Sequence, residues 1–165
     1  MSPRGFHRLL LPFALGAALV SVAVSPRPQA DSPKADSVTR TGARFATVDI
    51  FVDSREAALG AWQVEFSDRS GAARLAGVEG GEHAAYKQPP YYDPEALQRE
   101  RVILAGFNTA AAGQLPRGRT RVATLHLHIT GSTPVDFAVK VTAAADSEGR
   151  RIAVDATVQE RKSEP

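Results

Sequence analysis

From residue 45 onward, apolar and polar residues exchange places at every second position, in several separate runs. Ala46, Val48, Ile50 and Val52 share one face of residues 45–53, with Thr47 and Asp49 on the other. Trp62, Val64 and Phe66 alternate with Gln63, Glu65 and Ser67. A period of two built from aromatic and β-branched residues is the pattern of a half-buried strand. Residues 68–71 form a turn, and a second apolar run over 75–78 stops at Gly80-Gly81, where glycine permits a tight turn. Further on, Ala123, Leu125, Leu127 and Ile129 point inward against Thr124, His126, His128 and Thr130. Val135, Phe137, Val139 and Val141, and then Ile152, Val154, Ala156 and Val158, repeat the same alternation on either side of a turn at 146–149.

Two stretches depart from this pattern. Residues 82–100 contain Pro89, Pro90 and Pro94, which exclude a central strand. Within them, Asp93 as cap and Pro94 at the first helical position predict one short helix ending near Gln98. Arg101–Phe107 (RVILAGF) is apolar at nearly every position, which predicts a strand at the centre of a sheet. Seven or eight short strands separated by turn signals, with one short helix, predict an all-β sandwich.

The N-terminus differs in kind. Arg4, His7 and Arg8 precede an apolar run over 9–24, broken only by Pro12, Gly16 and Ser21. A basic start, an apolar stretch and then Pro with polar residues is the layout of a secretory signal peptide over 1–30. An uncleaved anchor is the alternative, although the run falls short of the roughly 20 apolar residues that span a bilayer. Residues 31–43, made of Ser, Pro, Asp and Lys with almost nothing to bury, predict a disordered linker; the domain then occupies 44–160, followed by a charged tail over 161–165.

The formal charge of +2 belongs to the leader. Arg4, Arg8 and Arg27 stand there without an acid, so basic and acidic groups are nearly equal in the rest of the chain. A near-neutral body lacks the basic footprint of a nucleic-acid binder. The chain has no cysteine, which removes disulfides, thiolate zinc sites, thiol nucleophiles and a lipoprotein anchor together.

Two stretches carry a family likeness. LGAWQVEFSDRSGAARLAGVEGG, residues 59–81, resembles the early part of a cohesin domain, where an alternating strand passes through a turn into a segment ending in a Gly pair. LPRGRTRVATLHLHITG, residues 115–131, resembles a later strand of that family, and the likeness covers about residues 45–158. Where many cohesins carry Tyr-Asp-Pro after the first of these strands, this chain has SDRSG, and its YYDP comes later, at residues 91–94. The resemblance implies a jelly-roll sandwich of eight to nine strands. It also implies a non-catalytic module that binds a dockerin-like protein in extracellular or envelope machinery for polysaccharide.

Three sets of residues are candidates for chemistry. Tyr86, Tyr91 and Tyr92 cluster with Pro89 and Pro90 outside the predicted strands; such rings stack on sugars or on a partner, or else fold back over the end of the sandwich. Arg119 and Arg121, with Arg117, bracket a strand entry and suit either an acidic partner or a solvated edge that discourages aggregation. His126 and His128 leave one face of a strand and would need a third ligand, such as His83, to hold a metal. No GxSxG elbow and no phosphate-cradling glycine loop is present.

These readings converge on an exported, non-enzymatic binding module that needs no cofactor. Its expected partner is a dockerin-like or other envelope protein. A carbohydrate-binding module using the 86–92 loop is the alternative, and a metal-dependent hydrolase built on His126 and His128 a second. Nucleic acid is not an expected partner, and membrane contact is expected only through an uncleaved leader.

Overall fold

The computed structural model describes residues 42–162; the predicted signal segment, most of the linker and the end of the tail lie outside them. Seven strands form two antiparallel sheets. They are β1 (Ala43–Asp53), β2 (Leu59–Asp68), β3 (Ala73–Gly80), β4 (Arg101–Phe107), β5 (Arg119–Thr130), β6 (Phe137–Asp146) and β7 (Asp155–Glu160). One sheet has the order β3-β5-β1-β7 and the other β4-β2-β6, so each strand lies in the opposite sheet from the strand before it. The all-β sandwich expected from the alternation is present, with seven described strands rather than eight to nine.

The alternating positions make the core. Val48, Ile50 and Val52 of β1, Trp62, Val64 and Phe66 of β2, and Leu125, Leu127 and Ile129 of β5 are all buried between the sheets. The inward residues of β6 and β7, including Val139, Val141, Ala156 and Val158, are only half-buried, because both strands are sheet edges.

Two expectations are corrected. Arg101–Phe107 forms an edge strand, not the centre of a sheet, and alternates in burial, with Arg101, Ile103 and Phe107 exposed. The short helix is a single 3-10 turn at Pro94–Ala96, and others occur at Ala84–Tyr86 and Ala112–Gln114. Its cap is as expected: Asp93 accepts from Glu95 N–H, with Pro94 at the first position.

The segment between β3 and β4 seals one side of the sandwich by bonding to the edges of both sheets. Gln98 N–H donates to Leu75 O at 2.8 Å, and Leu75 N–H to Arg99 O at 2.9 Å. Tyr91 and Ala105 exchange a pair of backbone bonds at 2.8 and 2.9 Å, adding one rung to β4. The Gly80-Gly81 pair is required sterically, since a Cβ on either residue would collide with the carbonyl of Lys87 or Arg121.

At the opposite end of β2, Asp68 ties three strands together. Its carboxylate accepts from Ser70 N–H (3.1 Å) and hydroxyl (2.8 Å), from Ala73 N–H (2.8 Å) and from Asp136 N–H (3.1 Å). Burial alone would raise this carboxyl, but those hydrogen bonds outweigh it and hold the group below the usual carboxylate range.

Candidate functional site

Pro90, Tyr91 and Tyr92 run extended beside β4, so successive side chains leave on opposite sides: Pro90 is buried, Tyr91 exposed, Tyr92 half-buried against the core. The Tyr91–Ala105 rung places the Tyr91 ring next to Phe107 on the same strand edge. The two rings lie parallel, 5.8 Å between centroids and 8° between planes. Tyr91 is 68% exposed and Phe107 62%. They form a stacked pair of large exposed rings on the described surface; Phe45, on β1, is exposed as well.

Three hollows border this pair, one of them, about 530 Å³, on the Tyr92 side of Tyr91 and lined by Asp93, Glu95, Arg99 and Arg101; the other two adjoin Phe107. One, about 340 Å³, lies between the Tyr86–Tyr91 segment and the end of β4, lined by Trp62, Tyr86, Pro89, Tyr91, Phe107 and Asn108. The other, about 430 Å³, lies on the outer face of the three-stranded sheet. Its floor is Ala61, Ala105, Ala143 and Ala145, and Arg151 stands at its rim. Trp62, Gly106 and Phe107 line both. The far end of the same sheet face is polar, closed by a Glu65–Arg101 ion pair at 2.6 Å, and the Arg101 hydrogen bond holds the Glu65 carboxyl below its ordinary range.

Trp62 forms the common floor. It pairs with Gly106 across β2 and β4, and a Cβ at Gly106 would stand 2.7 Å from the indole. Tyr86 meets the indole edge-on at 6.0 Å and 78°. Trp62 is 3% exposed, and its Nε1 has no hydrogen-bond partner among the described residues. Two neighbouring polar side chains, Tyr86 and Asn108, are engaged within the domain. Tyr86 Oη donates to Leu59 O at 2.6 Å, Asn108 Nδ2 donates to Ala85 O at 2.9 Å, and Asn108 Oδ1 accepts from Ala110 N–H at 2.9 Å.

Comparison with protein-family models, curated proteins and solved structures finds no match for this chain.

The three tyrosines therefore take three different roles. Tyr86 is 5% exposed and belongs to the core, its hydroxyl buried and its ionisation pushed well above the ordinary tyrosine range by burial. Tyr92 packs against the core from the loop, and Tyr91 alone faces outward. The exposed coplanar trio that a sugar platform on Tyr86, Tyr91 and Tyr92 would need is not formed; the exposed partner of Tyr91 is Phe107.

The arginines and histidines lie elsewhere. Arg119 and Arg121 are on β5, in the other sheet, and the structure does not bring them to Tyr91. Arg119 lies over the Phe51 ring at 3.4 Å. Arg121 donates to Thr124 Oγ1 at 2.6 Å and stands 3.8 Å from Asp49. Asp49 also receives a two-pronged bond from Arg161, 2.7 Å at each oxygen, and a bond from Thr124 Oγ1 at 2.8 Å. Burial opposes ionisation of Asp49, but the Arg161 and Thr124 bonds prevail and lower its carboxyl.

His126 pairs with Glu79 at 2.9 Å, and His128 lies against the exposed Phe45 ring at 5.2 Å. His83 Nδ1 accepts from Ala85 N–H, capping the 3-10 turn at Ala84–Tyr86. Among the described residues, no three His, Asp or Glu side chains converge as a metal site.

Trp62, Gly106 and Phe107 were not apparent as site residues from the sequence. Trp62 carries the pattern of a core residue and is one. Phe107 was hidden because RVILAGF looks apolar on both faces, whereas its outward half faces solvent.

Proposed function

We propose that this chain is an exported, non-catalytic binding module that engages a protein partner through the apolar end of its three-stranded sheet, outside the cell or at its envelope. The exposed Tyr91–Phe107 pair carries the reading. Large aromatic rings at the rim of concave apolar hollows are the residues that dominate protein interfaces once a partner desolvates them. Export rests on the basic and then apolar layout of the first thirty residues. A dockerin-like partner, implied by the cohesin likeness, is the specific form of this reading. The two-sheet sandwich supports it at the level of fold, and fold does not fix function.

The parallel Tyr91 and Phe107 rings also favour a second reading, stacking on a polysaccharide. The test is retention of ligands from the extracellular and envelope fractions of the source cells by the purified protein and by a Tyr91→Ala/Phe107→Ala variant. A protein held by the wild type and at least tenfold more weakly by the variant is expected, as for loss of interface anchors. Equal retention by both would move the site elsewhere, and retention on polysaccharide alone would favour the second reading. Recovery of a partner with duplicated calcium-loop segments would identify the dockerin-like form.

A further inference from the structure

We infer that two copies of this chain pair edge to edge through β7, antiparallel, about a two-fold axis at Val158. The inference is independent of the Tyr91–Phe107 reading. β4 adjoins β3 on one side of the sandwich and β7 adjoins β6 on the other, so the pairing leaves the two rings free.

The sandwich has edges at β3, β7, β4 and β6, and all but β7 are obstructed. β3 is bonded at Leu75 to Gln98 and Arg99, and its register with β5 shifts between Leu75 and Gly77. β4 carries the Tyr91 rung. β6 is bridged to Arg151 at Ala145, its register with β2 shifts twice, and Lys140 stands exposed on it. Bulges, lysines and covering segments are the means by which edges are kept from pairing. β7 has none of these among the described residues. It keeps one register with β1 from Asp155 to Glu160 and contains no lysine, proline or glycine. The charge at its end, Glu160, is paired with Arg44 at 2.7 Å.

Charge and backbone direction select a second copy as the occupant. Arg161 N–H donates to Thr47 O at 2.8 Å, which turns the Arg161 backbone groups toward β1. Alternation turns those of Thr157 and Gln159 the same way and leaves those of Ala156, Val158 and Glu160 facing the open side. With the axis at Val158, Val158 meets its own counterpart and Ala156 meets Glu160 of the second copy, each pair exchanging N–H···O bonds. On the outer face Thr157 then stands opposite Gln159, and Asp155 opposite Arg161, so opposite charges meet at both ends. An axis one residue away, at Thr157 or Gln159, would set Arg161 against Ala153 or Thr157 instead. Arg161 has a donor to spare: its Nε and Nη2 bind Asp49 and Thr124, while Nη1 has no partner among the described residues. On the inner face, Ala156 and Val158 lie half-buried beside Val139 and Val141 of β6, an apolar strip that the second copy's identical strip covers. The pair presents two Tyr91–Phe107 sites, which would hold a partner with repeated sites by avidity.

Sedimentation velocity on the purified protein should show a monomer–dimer equilibrium that shifts with dilution. Val158→Pro deletes an N–H that β1 does not use, a position where an edge strand tolerates proline. It should weaken the dimer at least tenfold, because symmetry removes the bond twice. Asp155→Arg sets like charges against each other at both ends and should also weaken it. Within one copy it gives up only the solvent-exposed bond to Arg55. Both variants should keep the Trp62 emission of the wild type, which reports that the sandwich still forms. The chain has no cysteine, so introduced thiols read the register. Thr157→Cys mixed with Gln159→Cys should give the mixed disulfide under mild oxidation in preference to either self-paired one, since only that pair lies within disulfide reach. A wild type that stays monomeric at every concentration would overturn the inference. So would association that survives both variants, or cross-linking without preference for the mixed pair. None of these outcomes touches the Tyr91–Phe107 reading, whose own test is retention of a partner.

Discussion

Replacing Asp68 tests the reading of the sandwich's polar end most directly. Its carboxylate holds the turn after β2, the first residue of β3 and the entry to β6 in one set of bonds. In Asp68→Ala, the buried Ala73 N–H loses its acceptor, at about 1–3 kcal/mol for an unsatisfied buried donor. The Ser70 and Asp136 donors lie nearer water and recover part of their loss by hydration, adding about 1 kcal/mol between them. A total near 3 kcal/mol corresponds to a fall in Tm of roughly 10 °C in a domain of this size.

Asp68→Asn keeps the shape and one acceptor oxygen, so about half that loss is expected. The charge can be separated from the shape through pH. The native Asp68 carboxyl is lowered relative to its ordinary value near 3.8. Its ionised form therefore contributes stability that is complete above that value and is lost as pH falls through the lowered native one. Urea unfolding followed by Trp62 emission at pH 7 and near pH 3 measures both effects. Wild type should lose more stability on acidification than Asp68→Asn does. Equal acid sensitivity, or an unchanged urea midpoint in Asp68→Ala, would refute the account of this carboxylate as the tie between three strands.

Other outcomes follow from the same structure. Gly106→Ala places a methyl 2.7 Å from the Trp62 ring. A loss of about 1–3 kcal/mol, with a changed Trp62 emission maximum, is expected from such overpacking; an unchanged spectrum and midpoint would show that the indole moves freely. Arg161→Ala removes the two-pronged bond to buried Asp49 and should cost about 1–2 kcal/mol at neutral pH. Because the Asp49 carboxyl is lowered in the native state, that cost should shrink once pH falls below its native value; a cost independent of pH would point to lost packing instead.

Most of the core was readable from alternation. Trp62, Val64 and Phe66, and likewise Leu125, Leu127 and Ile129, repeat every second residue and are buried as that period requires. The Asp93-Pro94 start was readable because capping is local chemistry. The position of Arg101–Phe107 was not. An unbroken apolar run signals burial on both faces, and here Ile103 and Phe107 are apolar while facing water. The sequence pattern failed because this strand is apolar on the face it turns to solvent as well as on the face it turns to the core. Tyr86, Tyr91 and Tyr92 looked equivalent in the sequence, since nothing local states which way a proline-held segment turns its rings. Only pairing with Ala105 decides that Tyr91 faces outward.

The alternation of successive strands between the two sheets bears on how the chain acquires its structure. Among the described residues no two consecutive strands are hydrogen-bonded neighbours, and the local antiparallel pairing between them is confined to the short Ala145–Arg151 bridge after β6. β1 has no partner until β5 and β7 exist, and β2 with β4 alone makes a two-stranded ribbon of marginal stability. Loops must close before any of these distant pairings is rewarded, which places folding in the slow, millisecond-to-second range of all-β domains. The four-stranded sheet cannot form its β1–β5 and β3–β5 ladders until β5 is complete at Thr130, and it gains its last strand only with β7.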